Sequence, residues 1–148
     1  MRVTAVVLAA GGSARFGKPK QLAVFQGETF VRRIVRAALD AGCPPVVLVT
    51  GEDSAQVTLE LTGIPISVAV NPQWSSGLGS SIGVGVRHAM GFAADLDAAV
   101  LLTCDQPFVD AAALTQHRIT PNKWQANHRI CLRGDFGHSR PVWSIFIS

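Results

Sequence analysis

The sequence predicts an α/β protein: a three-layer, mostly parallel open sheet with helices on both faces. Three observations carry this. Short apolar runs, nearly unbroken by polar residues, recur along the chain and suit strands buried on both faces. Stretches with apolar residues at helical spacing lie between them, and glycine, proline and small polar residues separate the two kinds of segment. Strands that alternate with helices in this way build βαβ units, whose right-handed crossovers place helices on both faces of a parallel sheet.

Val3 to Ala10 is the first buried strand. From Thr29 to Ala41 the residues Phe30, Val31, Ile34, Val35, Ala38 and Leu39 form a helical stripe, with Arg32, Arg33 and Arg36 off it as a solvated face. Gly42 is placed to end that helix as its C′ residue, and Pro44 and Pro45 prevent its continuation. Val46 to Thr50 is the second strand. Asp53 and Ser54 start a weaker helix to Leu61, Ile66 to Val70 is the third strand, Ser80 to Met90 a helix and Ala98 to Thr103 the fourth strand. His88 falls within its helix as a partly buried or surface histidine. Asp110 precedes a short helix over Ala111 to Leu114, Thr120 to Trp124 reads as a loop, and Val142 to Ile147 as a final strand.

With 148 residues the chain is expected to form a single domain. Hydrophobic residues are 48% and charged residues 16%, which excludes disorder for most of it. No apolar run approaches the roughly 20 residues that span a bilayer, and a soluble, cytoplasmic protein without a leader is expected. Cys43, Cys104 and Cys131 are odd in number and lack paired spacing, so buried free thiols are expected rather than disulfides or a zinc site. The net charge of +3 is unevenly spread: residues 1–115 carry eight Lys/Arg against nine Asp/Glu, residues 116–148 five against one. The basicity belongs to the tail, which lacks the interleaved aromatic stripe of a nucleic-acid binder. Neither nucleic acid nor a membrane is therefore expected as a partner.

In open parallel sheets, ligands bind beyond the carboxyl ends of the strands. After the first strand the chain reads Leu8-Ala9-Ala10-Gly11-Gly12-Ser13-Ala14-Arg15-Phe16-Gly17-Lys18-Pro19-Lys20-Gln21-Leu22. Glycines let backbone N–H groups approach a ligand, and Arg15, Lys18 and Lys20 add positive charge, a combination that suits a polyphosphate. For a glycine loop alone, a flexible connector with solvated cations is the plain alternative. Gly12 to Lys18 has P-loop spacing, but Pro19 stands where a P-loop needs a hydroxyl for magnesium, and the dinucleotide spacing G-x-G-x-x-G is not met.

The whole string resembles the signature of the MobA-like nucleotidyltransferases, L-A-[AG]-G-x-S-x-R-x-G-x-P-K-x-L, at every fixed position. Within that group Ala10 and Pro19 resemble the MocA-type branch, the molybdenum cofactor cytidylyltransferases and their relatives. Two further stretches agree in order. Asn71-Pro72-Gln73-Trp74-Ser75-Ser76-Gly77-Leu78-Gly79-Ser80-Ser81 resembles the family's N-P-x-W-x-x-G-x-x-x-S segment, which precedes a helix and contacts the nucleotide. Ser80 or Ser81 is expected to cap that helix. Leu101-Leu102-Thr103-Cys104-Asp105-Gln106-Pro107 resembles L-x-x-D-x-P. A carboxylate at the end of a buried strand is costly unless paired or bound to metal, and Asp110 is better placed to cap the next helix, which leaves Asp105 for metal.

The resemblance implies a Rossmann-like nucleotidyltransferase fold and transfer of a nucleoside monophosphate, CMP favoured over GMP, from an NTP to a phosphorylated acceptor, with release of pyrophosphate. The molybdopterin cofactor is the expected acceptor, and a sugar phosphate or methylerythritol phosphate the alternative. It implies Arg15, Lys20 and Asp105 as catalytic groups and Mg²⁺ on Asp105. The nucleotide is expected against Leu8, Ala9, Ala10, Gly11, Gly12, Ser13 and Lys18, and against Asn71, Gly79, Ser80 and Ser81. The motif resemblance covers about residues 2 to 115. Beyond it, Gly137 to Trp143 only echoes the family's G-x-P or G-H-P element, so residues 116–148 are expected to be a divergent or truncated part. A binding remnant that serves a molybdoenzyme or its chaperone is therefore the alternative to an active enzyme.

Overall fold

A computed structural model describes residues 2–12, 17–106, 108–118, 131–134 and 142–147, with side chains through residue 115. The elements are β1 (Val3–Ala9), β2 (Val24–Phe25), β3 (Glu28–Thr29), α1 (Phe30–Asp40), β4 (Val46–Thr50), α2 (Ser54–Glu60), β5 (Ile66–Val70), α3 (Leu78–Phe92), β6 (Ala98–Thr103), α4 (Ala111–Arg118), β7 (Cys131–Gly134) and β8 (Val142–Ile147). The expected loop at Thr120 to Trp124 and the residues 137–141 of the tail motif lie outside the described residues.

Six strands form one sheet in the order β5-β4-β1-β6-β8-β7. All neighbours pair in parallel except β7 with β8. The chain moves from β1 through β4 to β5 on one side, then returns to place β6 on the other side of β1. That reversal opens a crevice beyond the carboxyl end of β1.

Alternation along the buried strands sends successive side chains to opposite faces. Ala5, Val7 and Ala9 of β1, with Val46 and Leu48 of β4 and Val100 and Leu102 of β6, meet Val31, Ile34, Val35 and Ala38 of α1, Val57 of α2 and Leu114 of α4. Val6 and Leu8, with Val47, Val49, Ala99 and Leu101, meet Val86, Ala89 and Met90 of α3 on the other face. This is the expected three-layer arrangement, with a core on each side of the sheet.

α1 ends as expected. Cys43 N–H donates to the Ala38 carbonyl at 3.2 Å and Gly42 N–H to that of Leu39 at 2.9 Å, with Gly42 at φ +69°, a Schellman closure that only a residue free to enter the left-handed region makes cheaply. Thr29 caps the other end by accepting from Arg32 N–H. The β2–β3 hairpin was not legible. Its two-residue turn is Gln26-Gly27, both at positive φ, the type I′ geometry, but glutamine rarely announces such a turn.

The three arginines of α1 do more than face solvent. Arg33 lies 5.2 Å from the centre of the Phe25 ring and donates to the Phe25 carbonyl, Arg36 pairs with Glu28 at 2.8 Å, and Arg32 donates to the Glu60 carbonyl. They fasten the hairpin and α2 to α1. His88 is half-buried, with Nε2 2.8 Å from the Ser67 hydroxyl. Among the described residues no helix is long and apolar enough to cross a membrane.

Candidate active site

Three chain segments converge beyond the carboxyl ends of the strands and line a cavity of about 390 Å³. The end of β1 contributes Leu8, Ala10, Gly11 and Gly12. The segment after β5 contributes Trp74, Ser75, Gly77, Leu78 and Ser81, and the end of β6 contributes Thr103, Cys104 and Asp105, with Lys20 and Gln21 completing the wall. The volume lies in the range of small-molecule and cofactor sites. These are the strand ends that the sequence singles out, brought together because β1 lies between β4 and β6.

Two glycines seat the Trp74 indole. A Cβ on Gly12 would lie 2.7 Å from the Trp74 ring, and one on Gly51, just past β4, 2.8 Å from that ring and from the Ala10 carbonyl oxygen. The indole therefore packs on glycine at two strand ends, and its position depends on both.

Lys20 sits in a short 3-10 turn over Lys20–Leu22 that follows Pro19, with its side chain exposed at the cavity. Gln21 on the same turn is buried. Its Nε2 donates to the carbonyls of Ala9 and Gly11, each at 3.0 Å, while its Oε1 has no partner among the described residues. Ser13 and Arg15, expected at this site, lie outside the described residues. Lys18 is exposed on the loop and Ala9 is buried in the strand, and neither is among the lining residues.

Asp105 differs from expectation in one respect. Its carboxylate is exposed at the mouth of the cavity, because the chain turns out of the sheet after Thr103; the cost of burying a charge therefore says nothing about it. It accepts a hydrogen bond from the Thr103 hydroxyl at 2.6 Å. Asp110 does cap α4, accepting from Ala113 N–H at 2.8 Å, which leaves Asp105 to the cavity. Beside it the Cys104 thiol is buried. Burial, and next the negative charge of Asp105, push its pKa up from 9.0 to about 12, so it stays a neutral thiol.

The helix after the second motif begins earlier than expected, at Leu78, with Gly77 at the N-cap position and no side-chain cap. Ser80 and Ser81 are therefore inside the first turns and cap nothing. The Ser80 hydroxyl donates to the Gln73 and Gly77 carbonyls, and both serine oxygens accept from Asn71 Nδ2 at 2.9 Å. Asn71 Oδ1 in turn accepts from Gln73 N–H. Asn71 is buried and its carboxamide is fully engaged, so it braces this wall from behind; Asn71, Gly79 and Ser80 are not among the lining residues, whereas Ser81 is. Trp74, Gln21, Thr103 and Leu78 are lining residues to which the sequence assigned no role. Trp74 and Gln21 stand inside the motifs, and that position was the available signal.

The residues present fit a divalent metal. Among the described residues no group of three His, Cys, Asp or Glu comes together, and Asp105 is the acid that lines the cavity. A single exposed carboxylate at the mouth of a cavity suits a hard cation that keeps most of its waters and binds the protein through one or two carboxylates.

Comparison with known proteins agrees with this architecture. A family model, that of the MobA-like NTP transferase domain, matches residues 5–143, past the point where the motif resemblance stops. A nucleotidyl transferase from Methanothermobacter thermautotroptrophicus superposes with a TM-score of 0.66 at 32% identity over 78% of this chain and 56% of that one. Rv0371c from Mycobacterium tuberculosis gives 0.64 at 29% identity over 78% and 57%, and its complex with manganese gives 0.59 at 26% identity over the same shares. Among curated proteins, the chain is 41% identical over 80 residues to a nicotine blue oxidoreductase of Paenarthrobacter nicotinovorans, covering 53% of this chain and 39% of that protein. It is 29% identical over 104 residues to a probable molybdenum cofactor guanylyltransferase of Bacillus cereus, covering 70% and 49%. The chain spans about half the length, or less, of these curated relatives. By sequence and fold together, the chain belongs to the MobA-like NTP transferase domain family.

Proposed function

We propose that this chain is the nucleotide-binding part of a cytoplasmic nucleotidyltransferase that moves CMP, in preference to GMP, from an NTP to a phosphorylated acceptor, the molybdopterin cofactor. The observation that carries the reading is the convergence of Gly11, Gly12, Lys20 and Asp105 on one cavity at the carboxyl end of β1. Ala10 and Pro19 favour the cytidylyl branch; the Bacillus relatives are named as guanylyltransferases, so the base is what the experiment has to decide.

An acceptor phosphate oxygen attacks the α-phosphorus; the new P–O bond forms as the bond to the bridging oxygen of the β-phosphate breaks, and pyrophosphate leaves with that electron pair. Both reactants are anions, so catalysis rests on positioning and charge neutralisation. Lys20 and Arg15 hold the triphosphate and neutralise the leaving pyrophosphate. The backbone from Ala10 to Gly12, with Leu8 and Ser81, holds the nucleotide. Asp105, oriented by the Thr103 hydroxyl, holds Mg²⁺, which when bound withdraws charge from the phosphate oxygens. The manganese complex of Rv0371c supports a divalent metal in a protein of this fold. Cys104 stays protonated and takes no part.

Calorimetric titration with CTP, GTP, ATP and UTP in the presence of Mg²⁺, followed by a pyrophosphate-release assay with molybdopterin, tests the proposal. Tightest binding of CTP and release only when acceptor is present are expected. Binding without release would favour a binding remnant that serves a molybdoenzyme, and no binding of any NTP would overturn the reading.

A further inference from the structure

Gln21 is 5% exposed, and nothing above gives it a part in the reaction. Its side chain joins two pieces of chain that are separate in sequence: the turn that carries Lys20 and the end of β1. The orientation of its carboxamide is set by chemistry, because only the nitrogen end can face two carbonyl oxygens, those of Ala9 and Gly11, at 3.0 Å. The oxygen end is then left buried without a partner among the described residues. An orphaned buried acceptor costs about 1 to 3 kcal/mol, a cost that an apolar side chain of this shape would avoid. What an apolar side chain would lose is the hold on the Gly11 carbonyl.

That hold has a geometric consequence. In a planar trans peptide the carbonyl and the following N–H point in opposite directions. With the Gly11 carbonyl turned towards Gln21, the Gly12 N–H is turned to the other side of the loop, and among the described residues it has no acceptor. Gly11, Gly12 and Lys20 all line the cavity.

We propose that Gln21 is a positioning residue: its carboxamide ties the Lys20 turn to the end of β1 and so presents the Gly12 N–H and the Lys20 ammonium together to the phosphates of a nucleoside triphosphate. The inference rests on the nucleotidyltransferase reading and adds to it the group that sets the spacing of two phosphate donors. Glycine at position 12 is required by the Trp74 ring, which an added Cβ would meet.

The test compares wild type with Gln21→Met and Gln21→Leu, neither of which has a side-chain hydrogen-bond donor. Magnesium CTP and tripolyphosphate are the probes, read by calorimetry, and the Gly12 amide is followed in ¹⁵N-glycine-labelled wild-type protein by NMR. Two results are expected: a downfield shift of the Gly12 amide proton on adding either probe, and affinities weakened about tenfold or more in both variants while their thermal unfolding stays within a few degrees of wild type. Wild-type affinity in either variant overturns the inference, as does a Gly12 amide unmoved by a probe that binds. If a variant does not fold, the wild-type amide signal decides alone. Failure of wild type to bind any NTP would instead remove the nucleotidyltransferase reading, and this inference with it.

Discussion

The indole of Trp74 lies so close over Gly12 that a methyl group there would sit 2.7 Å from the ring, nearer than real Cβ contacts come. Two segments more than sixty residues apart in sequence thus share one wall of the cavity. Gly12→Ala must displace the ring or the loop. We expect CTP affinity to fall about tenfold or more, read by calorimetry, with a changed near-ultraviolet circular dichroism signal. Unchanged affinity would show that the ring's seat is irrelevant to binding.

Lys20→Ala and Asp105→Ala are expected to lower turnover about a hundredfold or more, by analogy with the loss of a single transition-state donor. Both side chains are exposed, so unfolding by urea is expected to move by no more than about 0.5 kcal/mol. A variant that folds like wild type and transfers nucleotide normally would sink the assignment of that residue.

α3 approaches the sheet through Gly85, where an added Cβ would lie 2.3 Å from a Val6 methyl carbon and 2.7 Å from one of Val49. Valine at these strand positions has no free end to swing aside. Gly85→Ala is expected to destabilise by about 1 to 3 kcal/mol in urea unfolding, despite alanine's better helix propensity. A stabilised variant would show that α3 shifts outward freely.

Asn71→Ala removes donors from Ser80 and Ser81 and the acceptor of Gln73 N–H inside a buried site. The expected loss is about 1 to 3 kcal/mol of stability. Asp110→Ala, which removes only an exposed N-cap bond, is expected to cost about 1 kcal/mol. The order of the two, measured in the same denaturant series, is the check.

The folded Cys104 thiol keeps its proton up to about pH 12, whereas in the unfolded chain it ionises near 9.0. Its contribution to stability is therefore fully present below pH 9 and is lost between 9 and 12, as the unfolded state gains by releasing the proton. Cys104→Ala is expected to show a shallower loss of stability over that range. At pH 8, iodoacetamide is expected to leave Cys104 unmodified in the native protein, as mapped by mass spectrometry.

Several features that local chemistry decides were legible in the sequence. The order of β1, α1, β4, α2, β5, α3, β6, α4 and β8 followed from apolar periodicity and helix-start signals, the end of α1 from Gly42, and the cap of α4 from the place of Asp110 just ahead of it. Where an inference depended on surroundings it failed: Asp105 is exposed, and Ser80 and Ser81 lie inside α3 with Gly77 at its cap position. A strand's apolar run says that it is buried, but not where the chain turns into solvent after it.

By itself the sequence determined the α/β alternation, the glycine loop after the first strand and the family to which its three motifs point, because each is written in contiguous residues. Only the tertiary structure decided that β1 lies between β4 and β6, that Trp74 rests on Gly12 and Gly51, and that Gln21 ties Lys20 to the loop. These are contacts between residues remote along the chain. Periodicity shows that a side chain will be buried or a carbonyl must be satisfied; which partner meets it is set by the packing of the whole sheet.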